Sequence, residues 1–360
     1  MATLPRKASV WNPGADVTPT DSNLAVELAD SSIVTRGDAK VAVNRILAGA
    51  VATTLHLWIE KQAVHLESDF GASGDGIIDD TTAVVNALAS GKVVVGNPLS
   101  TYAVSGNITL PATAYIRDCK FKQLTPNNAS RRTLTATNAT SIFLNNVTVD
   151  INGDGSNGTV TDAAGIWLSG CNKVVLENVE VFGNGYTNGI VVVDCNDVRM
   201  ISPYVHDMIH GTASSANPGD DRINGIWLIR GNRVIIIAPK VNNLLGRWLG
   251  QPQFNRYTRG ITVSGTQGWS IVGPTIDNVD QGIDVTGSEN AERGNILGGT
   301  VDNCYTWGVK FANTPSFCSV VGVSSWRAGI AGFICSPPAS ALSQQTQYIL
   351  SFRITFSLVS

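Results

Sequence analysis

The sequence predicts an all-β solenoid, a parallel β-helix with three short strands in each coil, and three features of the chain point to it. The first is a recurring Gly-Ile-x-apolar tetrapeptide: Gly165-Ile166-Trp167-Leu168, Gly189-Ile190-Val191-Val192, Gly225-Ile226-Trp227-Leu228, Gly260-Ile261-Thr262-Val263 and Gly282-Ile283-Asp284-Val285, with looser copies at Gly308-Val309-Lys310-Phe311 and Gly329-Ile330. Successive glycines stand 24, 36, 35, 22, 26 and 21 residues apart, and a period in the low twenties with short strands is how stacked repeats read in sequence. The second is an Asn seven residues after the glycine (Asn172, Asn196, Asn232), each followed by an apolar run at Val174–Leu176, Val198–Ile201 or Val234–Ile237. The third is another strand-like run after each of these, at Val179–Val181, Tyr204–Val205, Lys240–Val241 and Thr275–Ile276. Strand side chains alternate, so the second and fourth positions of each tetrapeptide face the core and the third faces outward. Asn stacked on Asn between coils would satisfy the amides in a ladder.

Taken in order, Met1–Ser31 carries Pro5, Pro13 and Pro19 with few apolar residues and reads as an extended arm, with one strand possible around Leu24, Val26 and Leu28. It has no apolar run after Arg6 and Lys7, so no secretory leader is expected. Asp38–Gln62 has helical spacing in Val41, Val43, Ile46, Leu47, Val51, Leu55, Trp58 and Ile59, an apolar stripe suited to a neck. Ser68–Ala89 then reads as a cap. Gly71, Gly74 and Gly76 permit a tight irregular turn. Asp79 and Asp80 stand at a helix N-cap, Ala83, Val84, Ala87 and Leu88 form one apolar face, and Gly91 ends the helix. Strand-like runs follow at Val93–Val95, Tyr102–Val104, Ile108–Leu110 and Tyr115–Ile116, ahead of the repeats. Pro337-Pro338 breaks the repeat, and Tyr348–Val359 alternates in part, as terminal strands would.

Within the cap, Asp69-Phe70-Gly71-Ala72, Gly74-Asp75-Gly76 and Asp79-Asp80-Thr81 resemble the opening motif of pectate-lyase-like parallel β-helix proteins, phage tailspikes and tail-fibre depolymerases above all. Gly49-Ala50-Val51-Ala52 is similar to the lead-in such proteins carry. The resemblance implies a right-handed helix and a virion setting rather than a reaction. It implies an arm and neck at 1–67 that attaches to other tail or baseplate proteins and trimerises, a β-helix at 68–335, and short C-terminal strands at 336–360. It further implies a bacterial surface polysaccharide as partner, with the protein made in the host cytoplasm. The large C-terminal trimerisation domain that many tailspikes carry is not expected after these strands. The polygalacturonase branch of the fold is rejected, because His210-Gly211 precedes Asp220-Asp221 and the first and last motifs of that branch are missing.

Bulk properties narrow the function. The net charge is −3, charged residues make up 15% and apolar residues 43% of the chain. That leaves no basic footprint for nucleic acid and too much apolar content for disorder. No stretch approaches the ~20 apolar residues of a membrane span. The six cysteines form no Cys-x-x-Cys pair, and Cys171 and Cys195 fall at equivalent repeat positions. They read as stacked, buried thiols, with a disulfide the geometric alternative. Asn-x-Ser/Thr sequons, as at Asn107 and Asn128, read as turns. His206 and His210 lack the spaced carboxylate of a zinc motif and read as solvated loop residues, so neither metal nor cofactor is expected.

Two repeat intervals are about a dozen residues too long, and the excess falls just before the glycine, at about His206–Asn224 and Leu244–Arg259. Neighbouring loops on a regular stack make the walls of a groove. The outward positions Trp167, Val191, Trp227, Thr262, Asp284 and Lys310 form a column, and the inserts add Asp207, Asp220, Asp221, Arg222, Arg247, Trp248, Arg256, Tyr257 and Arg259. Indoles stack on sugar C–H faces, so Trp167, Trp227, Trp248, Tyr257, Arg222, Arg256, Arg259 and Lys310 are candidate substrate-binding residues. Asp284 and Asp280 share a strand and would stand ~13 Å apart if extended. A pair of one of these with Asp220 or Asp221, roughly 10 Å away across two coils, approaches the ~6.5–9.5 Å used in inverting hydrolysis. Asp284 and Asp221 are the preferred pair. A lyase using Tyr257 or His210 as base and Arg256, Arg259 and Lys310 as cations, and a non-catalytic receptor-binding fibre, stand beside it.

Overall fold

The computed structural model describes residues 42–43, 53–54, 63–124, 131–152, 163–183, 188–209, 223–245, 258–286, 291–312 and 317–336. The chain divides into two compact units, Met1–Ala63 and Val64–Ser360. In the first, Ala42–Val43 and Thr53–Thr54 pair as short antiparallel strands. These four residues fall within the segment whose spacing suggested a helical neck; the rest of that segment, the arm before it and the strands expected after Ser336 lie outside the described residues.

Directly after the strand Ala63–His65, the second unit has a short helix, Leu66–Phe70, that the sequence pattern did not announce. It stops at Gly71, whose φ of 70° is the left-handed conformation that favours glycine. The cap helix then runs Thr81–Ala89 and buries Val84, Ala87 and Leu88, with Ala83 packed at the edge of the same core. The two aspartates divide the capping work. Asp79 accepts the Thr81 N–H at 2.9 Å, whereas Asp80 turns back to accept the N–H groups of Ser73 and Gly74 at 2.6 and 3.1 Å. The glycine turn is thereby tied to the helix it precedes.

From Thr113 to Ser336 the described residues form a right-handed parallel β-helix in which each strand pairs with its counterpart one coil away. Three sheets result. The first-strand sheet stacks Arg132–Thr137, Ala164–Ser169, Asn188–Val193, Ile223–Ile229 and Thr258–Ser264. The second stacks Val174–Glu177, Asn196–Ile201, Asn232–Ile237 and Gln267–Val272. The third stacks Glu180–Phe182, Tyr204–Ile209, Lys240–Leu245 and the start of Thr275–Val285. Ile166, Ile190, Ile226, Ile261, Ile283 and Val309 align in register and are completely buried. Each such side chain contributes roughly 1.5–3 kcal/mol of burial.

The repeat glycine has a steric cause. A Cβ on Gly225 would stand 2.6 Å from the Gly260 carbonyl oxygen and 2.7 Å from Val241 Cγ1. Gly189, Gly260, Gly282 and Gly308 likewise abut the carbonyl of the repeat glycine or its counterpart in the next coil. The second corner of each coil is a single left-handed residue, at Asn178, Ser202, Ala238, Gly273 and Gly298. Its N–H bonds the next coil, as from Asn178 to Ile201 O at 2.9 Å and from Ser202 to Ile237 O at 2.8 Å.

The positions seven after the glycine do stack, Asn196 facing Asn232 and Asn232 facing Gln267, and their backbone N–H groups bond the coil before. Among the described residues, however, the amide-to-amide bonds lie elsewhere: Asn178 donates to Asn146 at 3.1 Å, Asn224 to Asn188 at 3.0 Å and Asn278 to Asn243 at 2.8 Å. Arg230–Asp194, Arg233–Asp197 and Arg327–Asp302 pair across neighbouring coils. Cys171 and Cys195 stack as free thiols, the Cys171 N–H donating to Cys195 Sγ at 3.2 Å.

Two expectations follow. Gly225→Ala should lower stability by about 1–3 kcal/mol through overpacking in a thermal or denaturant melt, whereas Gly106→Ala, where an added Cβ meets nothing within 4 Å, should change little. The carboxyls of Asp194, Asp197 and Asp302 lie below their ordinary 3.8 because arginines of neighbouring coils hydrogen-bond them. A depressed carboxyl stabilises above its unfolded pKa and loses that contribution as pH falls through the folded value. The melting midpoint should therefore decline below about pH 4, and less steeply in Arg230→Gln/Arg233→Gln/Arg327→Gln.

Candidate functional site

The outer face of the first-strand sheet carries two columns. Register places Trp167, Val191, Trp227, Thr262, Asp284 and Lys310 side by side, so the third repeat position forms one column as alternation requires. The second column is the residue before the repeat glycine. Arg132 pairs with Ala164 and Ala164 with Asn188; then Asn224 pairs with Arg259, Arg259 with Gln281 and Gln281 with Trp307. The sequence reading found only Arg259 of this column, although its signal was present: a polar or aromatic residue directly preceding each marker glycine from Gly189 to Gly308.

Outward is not the same as exposed here. Val191, Thr262 and Asp284 are buried, while Trp167, Trp227 and Lys310 are half-buried. The character of the face changes along the stack. At one end Ala164, Val191 and Val193 form an apolar cluster separate from the core, with Trp167, Trp227 and Ile229 packed on it. The Arg132 guanidinium lies 3.8 Å above the Trp167 ring, a cation–π contact that keeps the indole face in one place. Next comes a buried polar chain. Asn188 Oδ1 accepts both the N–H and the Nδ2 of Asn224 at 3.0 Å, and Thr262 Oγ1 donates to Asn224 Oδ1 at 2.6 Å.

Beyond it lies a charged centre. Arg259 Nε stands 2.9 Å from Asp284 Oδ2, and Lys310 Nζ stands 3.6 Å from Asp284 Oδ1. Asp284 has no solvent exposure, and the Arg259 contact is an ion pair rather than an aligned hydrogen bond. Lys310 also sits 4.7 Å over the Trp307 ring. A buried carboxylate between two cations is expensive to disturb, since removing one partner leaves an uncompensated charge.

Asp280 occupies a different setting from Asp284. Beside it the coil-to-coil register slips: Val279 pairs with Cys304 but Gln281 with Trp307, so the neighbouring strand carries one extra residue. Asp280 is buried, its N–H donates to Thr258 Oγ1 at 3.0 Å, and its carbonyl accepts the Thr306 hydroxyl at 3.0 Å. Its charge, after burial, helps push the nearby Cys304 thiol up to about 12.

The remaining candidates, Asp220, Asp221, Arg222, Trp248, Arg256, Tyr257 and His210, lie outside the described residues. The stems of their loops are defined. Strands run on to Ile209 and Leu245 and resume at Ile223 and Thr258, so both inserts are narrower than the bounds His206–Asn224 and Leu244–Arg259. Ile209 pairs with Leu245 and Ile223 with Thr258, so the two inserts leave and rejoin the same corner in adjacent coils. His206 is not the solvated loop residue its sequence suggested: it lies in the strand Tyr204–Ile209 and is half-buried. Among the described residues no group of His, Cys, Asp and Glu is arranged to hold a metal ion, and no helix is long and apolar enough to cross a membrane.

No protein-family model matches the chain, and no curated protein matches it by sequence. Among solved structures it is similar to the pre-mature gene product 12 of bacteriophage phi29, at 14% identity and a TM-score of 0.45 over 73% of this chain and 45% of that one. It is similar to the Dettilon tailspike protein, at 16% identity and a TM-score of 0.42 over 79% of this chain and 63% of that one. It is also similar to a mutant tailspike protein of E. coli bacteriophage HK620 in complex with a pentasaccharide, at 11% identity and a TM-score of 0.49 over 87% of this chain and 66% of that one. The chain thus spans about half to two thirds of the length of these structures. At these identities the likeness is one of fold alone.

Proposed function

We propose that this chain is the β-helix of a phage tailspike that binds a bacterial surface polysaccharide along the outer face of its first-strand sheet and cleaves it by hydrolysis. The supporting observation is the register that aligns Trp167, Trp227 and Lys310 on one face, with Arg132 fixing one indole and Lys310 lying over Trp307. Strands ~4.8 Å apart present these groups at short, rigid intervals, which suits a long ligand of repeating units. Trp248, Tyr257, Arg222 and Arg256, from the inserts at one corner, would add the walls of the groove, and Arg259 its charged floor.

For the reaction, Asp284 and Asp221 take the carboxylate roles, one protonating the glycosidic oxygen and the other activating water, with Asp280 and Asp220 as substitutes. Homotrimer formation and attachment through the N-terminal arm to other tail proteins belong to the same proposal, as does residence in the virion. A second reading is a non-catalytic receptor-binding fibre. The full burial of Asp284 between Arg259 and Lys310 favours it, because such a carboxylate can serve as structure alone.

The deciding experiment incubates purified protein with a panel of capsules and lipopolysaccharides and follows reducing ends and the ultraviolet absorbance of unsaturated uronates. Reducing ends alone support hydrolysis, and unsaturated products move the chemistry to a lyase. Binding without turnover establishes the fibre. If Asp284 is catalytic, Asp284→Asn should lose about 10²–10⁴-fold in turnover with binding and oligomeric state retained. If it is structural, binding and melting temperature should fall together.

A further inference from the structure

The third-strand sheet carries a group of side chains that the first-strand face does not use. Thr148, Glu180 and Tyr204 align in one outer column, and Asp150, Phe182 and His206 in the column beside it. Tyr204 and His206 stack with ring centres 4.0 Å apart at 20°, and Phe182 lies on the His206 ring at 5.3 Å and 15°. Glu180 is held from two sides: Oε2 accepts the Thr148 hydroxyl at 3.1 Å, and Oε1 lies 3.1 Å from His206 Nε2. His206 is fixed in turn by Asp207 at 2.8 Å, and Asp207 by Asn243 at 2.8 Å. Four successive coils thus contribute to positioning one carboxylate and one aromatic ring.

These groups border a groove of about 310 Å³ lined by Asn146, Thr148, Asn178, Glu180, Ser202 and Tyr204. The volume is at the small end of ligand sites, which run ~300–1,000 Å³. Its lining of amide, hydroxyl, carboxylate and one phenol ring matches a sugar ring, with hydroxyls at its edge and C–H groups on its face. A carboxylate held in place by second-layer partners is the usual construction of a binding position rather than of a solvated surface acid. Charges of both signs stand around the groove: Asp150 and Asp207 on the same sheet, and Lys120 and Lys240 at the positions paired with Thr148 and Tyr204, with Lys120 Nζ 5.8 Å over the Phe182 ring.

We infer that this groove is a second saccharide site, separate from the Trp167–Lys310 face, and that it takes a single sugar unit with its ring against Tyr204 and its hydroxyls on Glu180. The choice of a saccharide rests on the polysaccharide reading above; the site's location does not. Such a site would hold the glycan at a side of the helix away from the insert-bearing corner and raise avidity without a second reaction centre.

The test is saturation-transfer NMR with the methyl glycosides of glucose, galactose, N-acetylglucosamine and glucuronic acid, on the wild type and on Tyr204→Ala, Glu180→Gln and Trp227→Ala, each checked by circular dichroism. Binding of a glycoside should weaken about tenfold in Tyr204→Ala and persist in Trp227→Ala. Glu180→Gln, which keeps the side-chain shape, should weaken binding with the melting temperature unchanged, a separation that a purely structural role for Glu180 would not produce. Wild-type binding in both Tyr204→Ala and Glu180→Gln, with loss only in Trp227→Ala, overturns the second site and leaves the first. No glycoside or polysaccharide bound by the wild type overturns both.

Discussion

The parallel, in-register stacking of coils is the constraint on which the rest of the structure depends. In the described β-helix the strand ladders run to the coil before and the coil after, and two close approaches enforce that spacing. One is the glycine column, where the carbonyl of one repeat glycine occupies the space a Cβ would need on its neighbour. The other is the left-handed corner residue, whose N–H reaches the last carbonyl of the next coil's second strand. Because register is fixed at both places, a side chain at one repeat position must meet the same position one coil away. The ladders follow from this rule: Ile on Ile inside, Asn on Asn at Asn146 and Asn178, Arg on Asp at the surface corners.

The same rule makes the outer faces informative. A column can be apolar, amide or charged over several coils, and its neighbours along the stack are set by sequence alone. On the first-strand sheet this yields a graded face, from Trp167 and Trp227 through Asn188, Asn224 and Thr262 to Asp284 with its two cations. The apolar end supplies contact area and the charged end supplies orientation. On the third-strand sheet the columns instead bring an aromatic stack and a fixed carboxylate together beside a groove. The two faces share a scaffold and differ in charge logic: the first pairs its carboxylate with cations, the third with a histidine and a hydroxyl.

Polar burial is concentrated where the inserts join the coils. Asn224, Thr258, Arg259, Thr262, Asp280 and Asp284 are all buried, and all lie on first strands or at the turn leading into them. Groups of this kind are costly in an interior unless they are bonded, and the geometry bonds them to one another across coils. The corner that breaks the repeat length is thus also the corner at which the fold tolerates charge.

The sequence by itself determined the architecture. Gly-Ile-x-apolar at near-constant intervals is legible because register forces each repeat to solve the same steric problem, and the cap helix is legible from glycine, aspartate and apolar spacing. The third-position column was legible for the same reason, and register confirms it residue by residue. Only the tertiary structure decided how deep each outward residue lies, because exposure depends on what is packed above the sheet and not on strand parity. That is why Asp284 emerged buried between Arg259 and Lys310, and Asp280 buried with its N–H on the Thr258 hydroxyl. It also decided that His206, isolated in sequence, stands between Glu180, Asp207, Phe182 and Tyr204: those contacts join residues up to 26 positions apart, and only the coil-to-coil stacking brings them within reach.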